Sequence, residues 1–172
     1  MNYFANAHRL ARAMTHLIDP RIVNSLIDAH VLDRTGGPDD DIVDEILSLA
    51  AEEEINLLLP YSVKSEIEHH NTPAKVKRRA AELLYTEPVS LTPGEKEQHR
   101  RVREILQGNA KLGKHDRDAF HVVESAKYGE YFITNDQRIL QKAPEIVAAV
   151  GIGIVTPAQF LTTYRCYASE PM

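Results

Sequence analysis

Short apolar runs alternate along this chain with longer segments in which apolar residues recur at helical spacing. The runs have the length of strands and are rich in Ile, Leu and Val, which is typical of strands buried on both faces of a sheet. The predicted strands are 22–27, 55–59, 89–91, 131–134 and 152–155. Strands that alternate with helices in this way predict an α/β fold, a three-layer sandwich whose central sheet is mostly parallel.

Proline, glycine and capping residues set the bounds of the helices that we predict between these strands. The predicted helices are 3–18, 38–53, a helix from 62, a helix from 73 to about 84, a helix from 93, 116–128, one or two short helices in 136–150, and a helix from 157. Ser62 is the predicted N-cap of its helix, and Thr72-Pro73 caps the next one. Asp39-Asp40-Asp41 suits a helix N-terminus better than a metal cluster, because the helix dipole favours negative charge there.

A single domain accounts for most of the chain. Its 172 residues can bury one substantial core, and no repeat, low-complexity tract or flexible linker divides them. We interpret residues 1–20 as an N-terminal helical extension and residues 21–172 as the α/β domain. The apolar residues of the extension are expected to pack on this domain, or against a second copy of the chain or a partner protein.

The cysteine count and the distribution of apolar residues exclude several classes of protein. One cysteine, Cys166, excludes an intramolecular disulfide and a cysteine-based zinc cluster. The N-terminus lacks the unbroken apolar core of a signal peptide, and no apolar run is long enough to span a bilayer, so we expect a cytoplasmic protein without a membrane partner.

Charge is distributed unevenly. The net charge is −5, yet residues 74–117 contain eleven Lys or Arg against six Asp or Glu. This basic segment is suited to contact with a phosphate backbone, although its cations can also simply solvate a helix surface. The candidate residues for contact with a nucleic-acid backbone are Lys75, Arg78, Lys114 and Arg117.

Four carboxylates stand where a predicted strand ends or among apolar residues of a predicted helix. Asp28 and Asp136 follow strands, whereas Glu66 and Asp118 lie on helices. Ligands of parallel sheets gather at the carboxyl ends of the strands, so acids that are distant in sequence can meet there. Converging carboxylates repel each other unless a cation neutralises them. The pattern predicts a divalent-metal site, although each acid taken alone is also explained as a cap or a solvated residue.

Two neighbours of Asp118 need separate interpretation. His121 lies three residues further along the same helix, where it either supports a metal ligand or is a core histidine bonded to backbone. Asp116 points to a different face of that helix, so we interpret it as a helix cap rather than a fifth ligand. The chain lacks the motifs of zinc proteases, phosphate-cradling loops, dinucleotide-binding folds and serine hydrolases.

The order and spacing of four segments resemble the PIN-domain family of metal-dependent ribonucleases, which includes the VapC-type toxins. These segments are Leu26-Ile27-Asp28-Ala29-His30-Val31-Leu32, Ser62-Val63-Lys64-Ser65-Glu66, residues 117–126 with Asp118-Ala119-Phe120-His121, and Tyr131-Phe132-Ile133-Thr134-Asn135-Asp136. The resemblance runs from about residue 22 to 160, and it rests on the combination of segments rather than on any single one.

The resemblance implies a carboxylate pocket that holds one or two Mg²⁺ or Mn²⁺ ions. The implied metal ligands and catalytic residues are Asp28, Glu66 and Asp118, with Asp136 as a fourth acid. Thr134 and Asn135 would orient that acid or bind phosphate, with His121 as a supporting residue. The implied activity is hydrolysis of RNA by metal-activated water, which leaves a 5′-phosphate and a 3′-hydroxyl.

The implied biology is that of a toxin in a toxin–antitoxin pair, with an antitoxin protein or a second copy of the chain as partner. One position departs from the family pattern, because His30 stands where an Asn is usual two residues after the first Asp. An alternative is therefore a catalytically inactive PIN-like module that binds RNA or a protein. A phosphatase of the haloacid-dehalogenase type is disfavoured, since that family needs a second Asp at the position of His30.

Overall fold

The structure is a computed structural model, and it describes residues 18–33, 38–108 and 113–169. Almost all of the predicted N-terminal helix, residues 3–17, lies outside the described residues. The extension and its packing therefore stay predictions. The glycine pair before residue 38 and most of the predicted loop at 108–113 also lie outside these ranges.

Five short strands form one sheet, and every neighbouring pair in it is parallel. The strands are β1 (Asn24–Ile27), β2 (Asn56–Leu59), β3 (Leu84–Tyr85), β4 (Tyr131–Ile133) and β5 (Gly153–Val155), in the order β3-β2-β1-β4-β5. The predicted α/β class with a parallel central sheet is confirmed.

Helices cover both faces of this sheet. They are α1 (Ala29–Leu32), α2 (Pro38–Ala51), α3 (Lys64–Ile67), α4 (Ala74–Ala81), α5 (Pro93–Gln107), α6 (Asp116–Tyr128), α7 (Gln137–Gln141), α8 (Ala143–Val150) and α9 (Pro157–Ala168). No helix in the described ranges combines the length and apolar character that crossing a bilayer requires.

Alternating strand residues divide the core into two halves. Ile27 and Ile133 pack with helices α1 to α4 and α9, whereas Leu26 and Phe132 pack with helices α5 to α8. Successive side chains of a strand point to opposite faces, so a sheet covered on both sides needs a continuous apolar run. This requirement explains why the strands lack an alternating polar pattern.

The predicted strand at 89–91 is wrong. The third strand is Leu84–Tyr85, which pairs with Leu58 and Leu59 of β2, and the helix before it ends at Ala81. The segment 89–91 follows Pro88, and proline cannot donate a ladder hydrogen bond. A strand of two residues gives almost no periodic signal, and pairing with β2 alone defines it.

The predicted helix 116–128 is confirmed, but two predicted caps differ from the structure. Ser62 does not cap a helix but lies inside a 3₁₀ turn, Tyr61–Val63, that runs into α3. Asp116 is the first residue of α6 rather than a side-chain cap, and its carboxylate pairs with Arg103. The acidic residues 39–41 do lie in the first turn of α2, as predicted.

The strand order reverses between β1 and β4. The chain builds outward from β1 through β2 to β3, then returns to the other side of β1 with β4 and β5. Helices before and after such a reversal cover opposite faces, which opens a crevice at the carboxyl ends of the two central strands. Asp28 and Thr134 come directly after these two strands.

Candidate active site

Asp28 lies at the floor of this crevice. Its backbone N–H donates to the Ile133 carbonyl at 2.9 Å, which extends the pairing of β1 with β4 by one residue. Its carboxylate accepts a hydrogen bond from the Thr134 hydroxyl at 2.7 Å and, at the start of α1, one from the His30 backbone N–H at 3.4 Å. The side chain is buried, at 5% exposure, and no basic side chain within the described ranges forms an ion pair with it. An isolated carboxylate in this position is costly to bury.

Burial raises the pKa of Asp28, and the Thr134 hydrogen bond offsets part of that increase. The folded state therefore holds a proton on Asp28 more tightly than the unfolded chain does, so stability falls as the pH rises above the ordinary carboxyl range. Asp28→Asn removes the charge and keeps an acceptor oxygen for Thr134. We expect its melting temperature in chelator at about pH 7 to exceed that of the wild type, by roughly 2–4 °C for each kcal/mol gained.

Thermal melting followed by circular dichroism measures this difference. The two curves should converge as the pH falls towards about 4, because the wild-type carboxyl then becomes protonated in the fold. Asp33→Asn is the matched control, since Asp33 is exposed on the same segment. A melting temperature for Asp28→Asn below that of the wild type at neutral pH would contradict the argument.

Thr134 connects two of the predicted acids. Its buried hydroxyl donates to Asp28 and accepts from the backbone N–H of Asp136 at 3.0 Å. The Asp136 carboxylate caps α7, accepting from the N–H groups of Arg138 and Ile139. Asn135 lies between them, and its amide nitrogen is buried without a hydrogen-bond partner in the described part of the chain. The Thr-Asn-Asp segment thus fixes Asp28 and leaves one amide donor unsatisfied.

Glu66 lies on the short helix α3, after the end of β2. Its Oε1 accepts from His121 Nε2 at 3.4 Å and from Arg117 at 3.0 Å. The hydrogen bond from His121 is the main cause that lowers the pKa of Glu66, with burial opposing it and Arg117 adding to it. The charge of His121 also acts on Asp28. His121 therefore influences both acids and contacts side chains, where a core role would have bonded it to backbone.

Asp118 lies in the first turn of α6 and faces a different pair of groups. Its Oδ2 is 3.1 Å from His115 Nδ1 and 3.6 Å from Arg138 Nη1. The Arg138 guanidinium lies 2.9 Å from the same ring nitrogen of the buried His115. Because a guanidinium only donates, Nδ1 accepts from Arg138, and the arginine is the cation beside Asp118.

The four predicted acids lie along one edge of the sheet, but their side chains do not form a single cup. Across the described ranges, no group of three or more acidic, histidine or cysteine side chains is placed to hold a metal ion. Each carboxylate has its own partners instead: a hydroxyl, a helix N-terminus or an arginine. The helix-cap contacts of Asp28 and Asp136 agree with the alternative that the sequence offered, whereas the contacts with Thr134, His121 and Arg117 join distant parts of the chain and were not predicted.

Glu124 is a residue of this region that the sequence analysis did not single out. It is 1% exposed, and both of its oxygens accept hydrogen bonds. Oε1 accepts from the Tyr61 backbone N–H at 2.8 Å and the Thr86 hydroxyl at 2.9 Å, and Oε2 accepts from the Ser62 backbone N–H at 3.0 Å. The available signal was a charged residue within the apolar stretch 122–126 of a helix, where charge is rarely buried without partners.

Through these bonds Glu124 fixes the 3₁₀ turn that follows β2. The hydroxyl of Ser62 in that turn lies 2.6 Å from His121 Nδ1, and the other ring nitrogen of His121 reaches Glu66. Glu124 and His121 are three residues apart, on one face of α6. A continuous set of hydrogen bonds therefore joins α6, the turn and the carboxylate on α3.

The four predicted RNA-binding cations are divided between two places. Arg117 and Lys114 lie at the beginning of α6, and Arg117 contacts Glu66. Lys75 and Arg78 belong to α4 and line a groove against α2, where Lys75 pairs with Asp40 at 2.5 Å. Among these four cations, Arg117 contacts a predicted acid, whereas Lys114 lies in the turn before α6.

Comparison of the chain with protein-family models, with curated proteins and with solved structures found no match. The side-chain geometry at the β1–β4 crevice, together with the residue pattern, is therefore the basis for a functional proposal.

Proposed function

We propose that this chain is an endoribonuclease of the PIN type that depends on Mg²⁺ or Mn²⁺. The observation that carries the proposal is the buried Asp28 at the strand-order reversal, a carboxylate without a basic partner in the described ranges. Glu66 lies at the same edge of the sheet, where its carboxylate accepts a hydrogen bond from His121. A divalent cation would neutralise Asp28, whereas Glu66 and Asp118 now pair with Arg117 and Arg138.

The residues fit a hard divalent cation in their chemistry. Carboxylate oxygens are the ligands that Mg²⁺ prefers, and a few of them suffice because the ion keeps several waters. Asp28, Glu66 and Asp118 would hold the ion, with Asp136 nearby. The arginines that now accompany Glu66 and Asp118 have side chains that are 68% and 44% exposed. Ion pairs this exposed are weak, so a divalent ion can replace them.

When bound, the metal supplies an activated water and neutralises charge on the phosphate under attack. The chain's own residues orient and bind. Thr134 fixes the Asp28 carboxylate, and His121 fixes Glu66 while Ser62 holds the ring. Arg117 and Arg138 would turn from the carboxylates to the phosphates of the RNA. The amide nitrogen of Asn135 is buried, so this residue would help to orient the segment of Thr134 and Asp136.

Incubation of the purified full chain with single-stranded RNA and Mn²⁺ tests the proposal. We expect endonucleolytic fragments that carry a 5′-phosphate and a 3′-hydroxyl, and we expect cleavage to stop in excess chelator. A deoxyribonucleotide substrate of the same sequence shows whether the activity is specific for RNA. Cleavage that continues in excess chelator would remove the metal from the proposal, and an absence of cleavage with either ion would remove the catalytic function.

A non-catalytic module that binds RNA is the second candidate. Two observations favour this candidate. Across the described ranges the acids do not form a group placed to hold a metal ion, and His30 stands at the position where the PIN pattern has Asn. Such a module would bind RNA with the same affinity in chelator and in Mn²⁺, and it would not cleave RNA under either condition. The toxin role and an antitoxin partner rest only on the resemblance of the sequence to the VapC-type toxins.

Arg117→Gln separates the two roles that the proposal gives to this arginine. Without RNA, we expect the variant to bind Mn²⁺ a few-fold more tightly, because Glu66 loses a competing cation. We expect its RNA affinity to fall for all sequences alike, with a salt dependence reduced by about 0.7 for one lost phosphate contact. Electron paramagnetic resonance of free Mn²⁺ and RNA titrations at several salt concentrations measure these effects.

Lys75→Gln is the matched control for this experiment. Lys75 is a predicted RNA contact that pairs with Asp40 on the α2 side of α4. We expect its Mn²⁺ affinity and its salt dependence to equal those of the wild type. Equal losses of RNA affinity in Arg117→Gln and Lys75→Gln would contradict the proposal that Arg117 contacts an RNA phosphate beside the acids.

A further inference from the structure

A cavity of about 550 Å³ opens beside Glu66, between α1, α3 and the beginning of α4. Ala29, Ile67 and Val76 provide apolar wall, and Arg117 lies in the wall next to Glu66. The proposed reaction uses Glu66 and Arg117 at one side of this cavity and gives no role to the rest of its wall. Pockets of this size hold small organic groups, with an apolar lining for affinity and a few polar groups for orientation.

Two polar side chains in the wall are available to a ligand. His30 and Asn71 are exposed, and neither side chain makes a hydrogen bond or ion pair within the described ranges. His69 adds a second imidazole, and its ring is oriented by the Asn71 backbone N–H, which lies 3.3 Å from Nδ1. The cavity thus combines flat aromatic rings with an amide that can both donate and accept.

The charges in the wall exclude one class of ligand. Glu66 and Asp33 both line the cavity, so an anionic phosphate inside it would meet two carboxylates. A neutral flat group with hydrogen-bonding edges meets no such repulsion. The cation Arg117, by contrast, lies at the Glu66 side of the cavity, towards the acids.

We propose that this cavity binds the base of an unpaired nucleotide next to the phosphate that is cut. The base would stack on an imidazole, His30 being the nearest to Asp28 in the chain, and Asn71 would bond its edge. Unpaired RNA bases are recognised in this way, by stacking on aromatic side chains and by hydrogen bonds to their edges. The inference rests on the proposed ribonuclease function and adds a position-specific nucleotide preference to it.

The position of His30 supports this assignment. It is the residue at which the chain departs from the PIN pattern, and its backbone N–H bonds to Asp28 while its side chain faces the cavity. The same residue therefore connects the buried acid with the base site. A base held against His30 would place its own phosphate close to Asp28 and Glu66.

Abasic scanning tests the inference without turnover or metal. The full chain with Asp118→Asn is titrated in chelator with single-stranded RNAs of about six nucleotides, each with one base removed at a different position. We expect removal of one particular base to weaken binding about tenfold, as the loss of one stacked base does. The other positions should have much smaller effects, since phosphate contacts do not depend on the base.

Variants of the cavity wall then locate that base. His30→Ala and Asn71→Ala are each added to the Asp118→Asn chain. In these variants, removal of the sensitive base should weaken RNA binding by less than about threefold, because the side chain that contacts this base is already absent. Ser90→Ala is the control, an exposed residue outside the wall, and it should keep the full tenfold effect. All these positions are exposed, so folding is expected to be retained, and thermal melting checks it.

Three results would overturn the inference. They are equal effects at all abasic positions, a tenfold effect that persists in both wall variants, and an absence of RNA binding by the parent. If the wild-type chain cleaves RNA in Mn²⁺ while abasic scanning gives equal effects, the base site is wrong and the proposed ribonuclease stands. If RNA is bound at one sensitive base but never cleaved, the catalytic proposal is wrong and the base site stands.

Discussion

Asp118→Asn is expected to lower the rate of Mn²⁺-dependent RNA cleavage by about 10³-fold, with the fold retained. A metal ion contributes several kcal/mol of charge stabilisation in the transition state, and about 1.4 kcal/mol corresponds to a factor of ten in rate. Replacing one of three carboxylates by a neutral amide weakens both the binding and the orientation of the ion. The amide has the same shape as the carboxylate, and Arg138 Nη1 is 3.6 Å from the carboxylate in a half-exposed pair, so the local packing should persist.

Single-turnover cleavage of a labelled RNA measures the rate, and circular dichroism checks the fold. Asp116→Asn is the matched control, because Asp116 lies two positions earlier on α6 and its exposed carboxylate pairs with Arg103. We expect this control to cleave within about threefold of the wild-type rate, as exposed pairs contribute little. A rate for Asp118→Asn equal to that of the control would exclude Asp118 from the metal site.

Glu124→Ala is expected to destabilise the protein by about 2–4 kcal/mol, and so to lower its melting temperature by roughly 5–15 °C. Glu124 accepts hydrogen bonds from the N–H groups of Tyr61 and Ser62 and from the Thr86 hydroxyl. Removing the carboxyl group leaves the Ser62 N–H and the Thr86 hydroxyl without this acceptor, and an unsatisfied buried donor costs more than an average hydrogen bond gains. The Tyr61 N–H keeps its second acceptor, the Thr86 hydroxyl oxygen at 2.9 Å.

Glu124→Gln should cause a smaller loss of stability. Its amide oxygen can replace one acceptor, but its NH₂ group would then face a backbone N–H donor. Glu87→Ala is the control, an exposed glutamate next to Thr86, and its melting temperature should be unchanged within about 2 °C. Chemical denaturation in chelator measures the free energy of unfolding for all three variants. A loss in Glu124→Ala no larger than in Glu87→Ala would show that the turn after β2 is held by other contacts.

Local physics explains which parts of the fold the sequence predicted. Most residues of the strands β1, β2, β4 and β5 are apolar and buried, and short runs of this kind have few alternatives in a protein of this size. Helices α2, α5, α6 and α9 carry turn-by-turn periodicity with Pro or Asp at their starts. These signals lie within windows of ten to fifteen residues, and short-range patterns of this kind are reliable.

The third strand was predicted at the wrong place because its residues have no strand pattern of their own in the sequence. Leu84 and Tyr85 continue the helical pattern of α4 in sequence, and only the ladder to Leu58 and Leu59 makes them a strand. The same holds for Ser62, which has the residue type of an N-cap but lies in a turn held by Glu124. In both cases the deciding partner is distant in the chain.

The amino-acid sequence by itself determined the α/β class, the parallel sheet and the edge at which the acids collect. It did so because the burial of strands and the ends of helices depend on neighbouring residues. Tertiary structure alone decided the partner of each acid: Thr134 for Asp28, His121 and Arg117 for Glu66, and Arg138 for Asp118. It also decided the burial of Glu124. The physical reason is that hydrogen bonds and ion pairs act over a few ångströms in space, and residues far apart in the chain meet only when the whole domain has folded.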